Sequence, residues 1–281
     1  MPDSTSPPIL IEVCVDSVRS ALNAVNGGSN RLEVCANLGV GGGTTPSLGL
    51  LKSIMRVVDT PIMVWELCSG QCSSKNSAQA MIRPRTGDFL YSDEEIEVML
   101  EDVRVFKDIG VRGVVFGVLT AEGRVNVDAT KRLVAEALPL EVCFHRAFDM
   151  TRDPGEALRD VMSIGGVSRI LTSGHGPTVV ESLDTLKGVC QSTQKLAKDL
   201  PWVLSILPGS GINADTVGAV LDALLPLGVT EIHLSGGSWV ESKMAHRPVG
   251  LGMGVGEGEW SVWETSQDKV NRVRHIVDGR R

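Results

Sequence analysis

Residues 9–18 read Ile9-Leu10-Ile11-Glu12-Val13-Cys14-Val15-Asp16-Ser17-Val18. Glu12, Cys14 and Asp16 fall on one parity, and Ile11, Val13 and Val15 on the other. A period of two is that of a β-strand whose faces meet different surroundings. Helical spacing follows at once. Val18, Ala21, Leu22 and Val25 share a face, Asp16 is placed to cap it, and Gly27-Gly28 ends it. The strand-to-helix turn contains no glycine, so it lacks the phosphate-binding fingerprint that a doubly wound dinucleotide fold carries after its first strand. The open sheet is thereby the weaker alternative, and a closed barrel the stronger.

The same unit recurs along the chain. Strand patterns fall at 31–35, 61–64, 113–117, 140–146, 168–172, 202–207 and 230–234. Between them lie amphipathic helices. Pro46 opens one with Leu50, Leu51, Ile54, Val57 and Val58 on a face, and Ser92 with Glu95 forms a capping box for another. Asp153-Pro154 starts a third and Asn213 a fourth. A Gly-rich loop runs from the eighth strand to about residue 258, and 264–277 fit a last helix. Eight βα units in about 250 residues predict an α/β fold, a single-domain TIM (β/α)8 barrel over 9–281. Residues 1–8 lack a basic start and an apolar stretch, so they read as a disordered tail and not as a secretory signal.

The 281 residues are 42% hydrophobic and 22% charged, enough for one large core. Aromatics are 4% and the net charge is -7, with no basic run. Binding to nucleic acid or to an anionic membrane surface is therefore not expected. No apolar stretch approaches the roughly 18 residues a membrane helix needs. Six scattered cysteines in a chain of this length fit a reducing cytosol rather than a disulfide framework.

In a barrel, parity separates lumen from helix-facing side chains. Arg31, Glu33 and Cys35 oppose Leu32 and Val34; Glu141, Cys143 and His145 oppose Val142 and Phe144; Glu231 and His233 oppose Ile232 and Leu234. The polar set belongs to the lumen. Two readings stand for it. The deeper residues Glu12, Glu33, Glu141 and Glu231 form an internal network neutralised by Arg31, Arg83 and Arg85, and the rim residues Cys14, Cys35, Arg85, His145 and His233 face a pocket. Cys14 and Cys35 end adjacent strands at matching points, and such strands lie roughly 4.8 Å apart, which would bring the two sulfurs close. They are either two small buried residues or a soft pair suited to Cu(I), with Cys143 a third sulfur if the lumen is narrow. Gly209 and Gly211 after the seventh strand, and Ser235 and Gly236 after the eighth, sit where such barrels grip an anion, to which Arg83 and Arg85 would add charge. His145, Arg146 and Asp149 form the densest polar patch, and with Glu12 or Glu33 are the candidates for proton transfer. No H-E-x-x-H, G-x-S-x-G or Walker A pattern occurs.

Several motifs then stand out: residues 12–17 (EVCVDS), 41–46 (GGGTTP), 81–85 (MIRPR) with Gly87-Asp88-Phe89 and Tyr91, 144–149 (FHRAFD), 171–174 (LTSG) and 208–212 (PGSGI). With these motifs the chain, from residue 9 to about 277, resembles the CutC copper-homeostasis family. The resemblance implies a TIM barrel, a cytoplasmic and in eukaryotes also nuclear protein, and copper-ion binding as Cu(I), the metal site mapping onto Cys14 and Cys35. It supplies no established reaction. The leading expectation is therefore a copper homeostasis protein; the alternative is a TIM-barrel enzyme acting on a small phosphorylated or carboxylated metabolite. A homo-oligomer stays open, with Trp202, Trp239, Trp260 and Trp263 available for an interface.

The sequence departs from the family pattern twice. Ser210 replaces the middle of three glycines. Residues 65–80 (WELCSGQCSSKNSAQA) interrupt the third strand, where the family runs directly from residues like 61–64 into Met81. We read that insert as a retained intron or gene-model error. If it stays, either 61–67 or 79–83 supplies the strand, but not both. Its Cys68 and Cys72 are a weak metal motif without nearby partners.

Overall fold

The computed structural model describes residues 8–58, 78–196, 203–254, 256 and 259–280. Eight parallel strands form one sheet: β1 (Leu10–Val15), β2 (Arg31–Val34), β3 (Ala78–Met81), β4 (Gly113–Phe116), β5 (Glu141–Phe144), β6 (Arg169–Thr172), β7 (Ser205–Pro208) and β8 (Glu231–Leu234). Their order is β7-β6-β5-β4-β3-β2-β1-β8. A parallel bridge from Gly209 to His233 brings β7 to β8 and joins the ends of the ring. Each strand feeds a covering helix, and the fold is the (β/α)8 barrel that the periodicity predicts.

Nine helices are described: α1 (Val18–Asn26), α2 (Leu38–Gly41), α3 (Leu48–Val57), α4 (Asp93–Asp108), α5 (Val127–Ala137), α6 (Pro154–Ile164), α7 (Leu183–Leu196), α8 (Val217–Leu224) and α9 (Gln267–Asp278). The helix-facing parity of the strands makes the main core with them, for example Ile11, Leu32 and Phe116 against Leu51, Met99 and Val273, all buried. Burial of each such side chain contributes on the order of 1.5–3 kcal/mol. No helix among the described residues is long and apolar enough to cross a membrane.

Local chemistry sets most boundaries. The capping box of Ser92 and Glu95 is complete at the start of α4. Asp153 caps α6, with Pro154 at its first position. At α1 the cap is Ser17 and not Asp16. The Asp16 carboxylate instead accepts from the Leu38 amide at 3.2 Å, tying β1 to the start of α2. Val57, expected on the buried face of α3, is half exposed because the helix ends there.

Two segments differ from the sequence expectation. The third strand is Ala78–Met81, whose Gln79 lies opposite Glu33 on one side and Gly113 on the other. Residues 78–80 of the insert thus complete the sheet and leave the Arg83 motif at the strand's end. The expected strand 61–64, most of the insert and Trp202 lie outside the described residues. After β8 the chain also makes an antiparallel hairpin, β9 (Gly237–Glu241) with β10 (Ser261–Thr265), where a loop was expected. Trp239 and Trp263 face each other across it, ring centroids 5.4 Å apart. Trp239 closes down on Gly39, where a Cβ would stand 2.6 Å from the ring.

Candidate functional site

The lumen has two layers. Toward the N-terminal ends of the strands its charges pair with one another. Arg31 binds the Glu12 carboxylate through Nε and that of Glu231 through a terminal nitrogen at 2.5 Å. Glu141 takes Arg112 at 2.8 Å and Arg169 at 2.7 Å. Burial opposes ionisation of Glu12 and Glu141. The surrounding cations outweigh it, and both carboxyls are held below the usual carboxylate range. The network therefore exists, but Arg112 and Arg169 serve in it where Arg83 and Arg85 were expected. Arg83 and Arg85 follow β3 and turn to the loops. Arg83 donates to the carbonyls of Gly41 at 2.7 Å, Gly43 at 2.8 Å and Gly87 at 3.0 Å. Arg85 is held by Glu95 at 2.6 Å and Asp88 at 3.0 Å.

The upper layer is apolar and rich in sulfur: Cys14, Cys35, Met81 and Cys143 pack with Val115, Leu171 and Leu207. The β1–β2 register sets Cys14 opposite Glu33, so Cys35 stands one inward position further up. Cys35 Sγ and Met81 Cε each lie 3.5 Å from where a Cβ would sit on Gly43 (φ 91°), which roofs them. Burial pushes both thiols up, Cys35 well above the ordinary range and with a contribution from neighbouring Cys14.

Between the layers Cys14, Glu33 and His233 bring donor atoms within 4.8 Å of one another. His233 Nδ1 lies 2.7 Å from Glu12. Burial disfavours charge on His233, but Cys14, Glu12 and Glu33 outweigh it and raise its pKa well above the ordinary value. Burial drives the Glu33 carboxyl up to about 7. Its Oε1 is buried with no hydrogen-bond partner among the described residues.

Above this trio a cleft of ≈ 640 Å³ opens, floored by Cys14 and His233 and walled by Ser210, Gly211, Ser235 and Gly236. Arg146, Lys269 and Arg272 outnumber Asp215 among its lining and give it a net cationic rim, and Trp263 of the hairpin closes one side. Arg146 is held in place by Asp149 at 2.8 Å and Ser173 at 3.1 Å. Asp149 in turn accepts from Thr172, Ser173 and His175, so it organises the loop after β6. Gly209 sits just below the cleft wall, where a Cβ would be 2.5 Å from Leu171. Cys35, Arg83, Arg85, Glu12 and Glu33 do not line the cleft. Nor does His145, which is buried against Phe89 with ring centroids 4.9 Å apart. Its Nδ1 accepts from the Ala147 amide at 3.2 Å. Burial and the nearby Arg83 cation push its pKa down to about 3.

Sequence reasoning did not anticipate Arg112, Arg169, Lys269 and Arg272, or the joining of Glu33 to Cys14 and His233. Arg169 was within reach, since it shares the inward parity of Leu171. The grouping across β1 and β8 needs the ring to close.

The sequence profile of the CutC family matches residues 9–238. The mouse and human proteins named copper homeostasis protein cutC homolog are each 39% identical over 270 residues, covering 95% of this chain and 89% of theirs. A solved structure of the copper homeostasis protein CutC from Streptococcus agalactiae superposes with a TM-score of 0.68 at 25% identity, over 81% of this chain and 98% of that one.

Proposed function

Because the chain belongs to the CutC family, we propose that it acts in copper homeostasis and takes Cu(I) as cargo on the thiols of Cys14 and Cys35. The observation that carries this reading is the sulfur-rich layer under the cleft. Cys14, Cys35, Met81 and Cys143 lie in one apolar cluster, and Cys14 is reached from the cleft. Thiolate and thioether donors in a water-poor pocket are what a soft monovalent ion selects. Both thiols are protonated when free, so copper has to displace their protons.

The test is anaerobic Cu(I) titration against a competing chelator. Wild type should show one tight site, and Cys14→Ser/Cys35→Ser should weaken it by at least about 100-fold. Equal affinity in both would reject the reading.

The cationic rim and the fixed Arg146 favour a second reading: an enzyme on a small phosphorylated or carboxylated metabolite bound between Arg146, Gly211, Ser235 and Gly236. Thermal stabilisation by inorganic phosphate, lost in Arg146→Gln, would support it, and no shift in wild type would dismiss it.

A further inference from the structure

The copper reading uses Cys14 with Cys35. It leaves Glu33 and His233 without a task, although both are buried and both bring donor atoms within 4.8 Å of Cys14. We propose that Cys14, Glu33 and His233 form a second metal site that shares Cys14 with the first, selective for a borderline divalent cation such as Zn²⁺ and open to the cleft.

The donor set is one sulfur, one oxygen and one imidazole nitrogen. Zn²⁺ accepts all three types, whereas a carboxylate oxygen is a poor ligand for Cu(I). Four-coordinate Zn²⁺ spaces its donors by roughly 3.3–3.8 Å, so side-chain shifts of about 1 Å complete the set. A Cys14 thiolate and the Glu33 carboxylate together balance the ion's charge. The buried, unpartnered Oε1 of Glu33 marks a lone pair for which the described residues supply no donor. The support around the trio is also of the kind metal sites need. His233 Nδ1 is engaged by Glu12 at 2.7 Å, and Arg31 clamps the other oxygen of that carboxylate. This fixes the ring and leaves Nε2 as its donor once the metal displaces the proton there, the carboxylate–histidine–metal arrangement. Three protein ligands leave a fourth position. Cys14 and His233 line the cleft, so that position faces its ≈ 640 Å³ of space. Three-ligand zinc sites with an open position are the catalytic type, in which the ion binds and activates water or a substrate oxygen. Cys14 is common to both sites, so Zn²⁺ and Cu(I) exclude one another.

The experiment uses the full chain, reduced and anaerobic, titrated with Zn²⁺ against a chromophoric chelator and with Co²⁺ as an optical stand-in. Wild type should bind one Zn²⁺, and its Co²⁺ form should show a sulfur-to-cobalt charge-transfer band. Glu33→Gln should bind Zn²⁺ at least about 10-fold more weakly and alter the Co²⁺ d–d bands, while keeping the charge-transfer band and wild-type Cu(I) affinity. Cys14→Ser should lose the charge-transfer band. Cys35→Ser should keep Zn²⁺ and lose tight Cu(I). Absence of Zn²⁺ binding by wild type overturns the proposal, as does a Glu33→Gln protein with unchanged Zn²⁺ affinity and Co²⁺ spectrum. Joint loss of both ions in Cys35→Ser overturns it too while leaving the copper reading intact. Cu(I) affinity that survives Cys14→Ser/Cys35→Ser removes the copper reading alone.

Discussion

The two layers of the lumen are built from inward positions of the same strands, two or four residues apart, yet they solve opposite problems. Below, Arg31 is shared by Glu12 and Glu231, and Arg112 with Arg169 by Glu141. Nearly every charge is answered inside the protein. Above, Cys14 interacts with His233, and the thiols otherwise have only weak contacts, at 3.8 Å from Cys14 to the Leu234 carbonyl and 3.6 Å from Cys35 to that of Val15. Glu33, between the layers, keeps a buried oxygen without a partner among the described residues, as Gln79 and Arg169 below keep one atom each. The lesson is that a polar lumen is not one feature. A closed network contributes to holding the ring, and open donors next to it are available to a ligand.

Four substitutions or titrations break or sharpen this contrast. The largest effect belongs to the lower layer. Arg31→Met leaves Glu12 and Glu231 buried without their shared cation and should destabilise the fold by about 3–5 kcal/mol in urea unfolding. A loss under 1 kcal/mol would mean that the layer is not a closed network. The second concerns the upper thiols. Burial raises both, so each Cu(I) bound releases their protons, and apparent affinity should climb with pH by up to about 100-fold per unit below the thiol pKa values. A flat profile between pH 6.5 and 8.5 would assign copper to donors that carry no proton.

The third is His145. Its pKa is lowered in the fold to about 3, chiefly by burial, so the unfolded chain binds a proton that the folded one does not. Its contribution is present above the unfolded value near 6.5 and is lost as pH falls from there toward 3, at about 1.4 kcal/mol per pH unit. His145→Asn keeps an acceptor for the Ala147 amide and should flatten the stability–pH slope in that window by one proton. The smallest effect is at Ser210, whose φ of 91° suits glycine. Ser210→Gly relieves that strain at the cost of one partly exposed hydrogen bond to the Pro177 carbonyl. A net gain of about 1 kcal/mol, or 2–4 °C in Tm, is expected by calorimetry.

Much of this is legible in the sequence. Alternation in residues 9–15, 31–35 and 140–146 is enough to divide lumen from shell, because a strand with two unlike faces writes its period into the sequence. Cys14 and Cys35 could be assigned to one end of adjacent strands for the same reason. Register is another matter. Whether Cys14 faces Cys35 or Glu33 depends on a stagger that no local pattern encodes, and the stagger chose Glu33. The hairpin of Trp239 and Trp263 was hidden because glycine and polar residues around it read as loop, while what stabilises it is the packing of one indole on Gly39. The third strand had two candidates, 61–67 and 79–83, because both fit the period, and the observed pairing of Ala78–Met81 with β2 and β4 selects the second.

The contact between Glu12 and His233 spans 221 positions in the chain. During synthesis the first strand leaves the ribosome long before the eighth exists. Cys14 and Glu33 then wait without His233, and the cleft lacks part of its floor and its β8 wall. Pairing of β8 with β1 brings His233 to Cys14 and Glu33, so a nascent or truncated chain that ends before β8 has the thiols but no pocket. The finished barrel is thus its own checkpoint, because the cleft exists only once the last strand has docked.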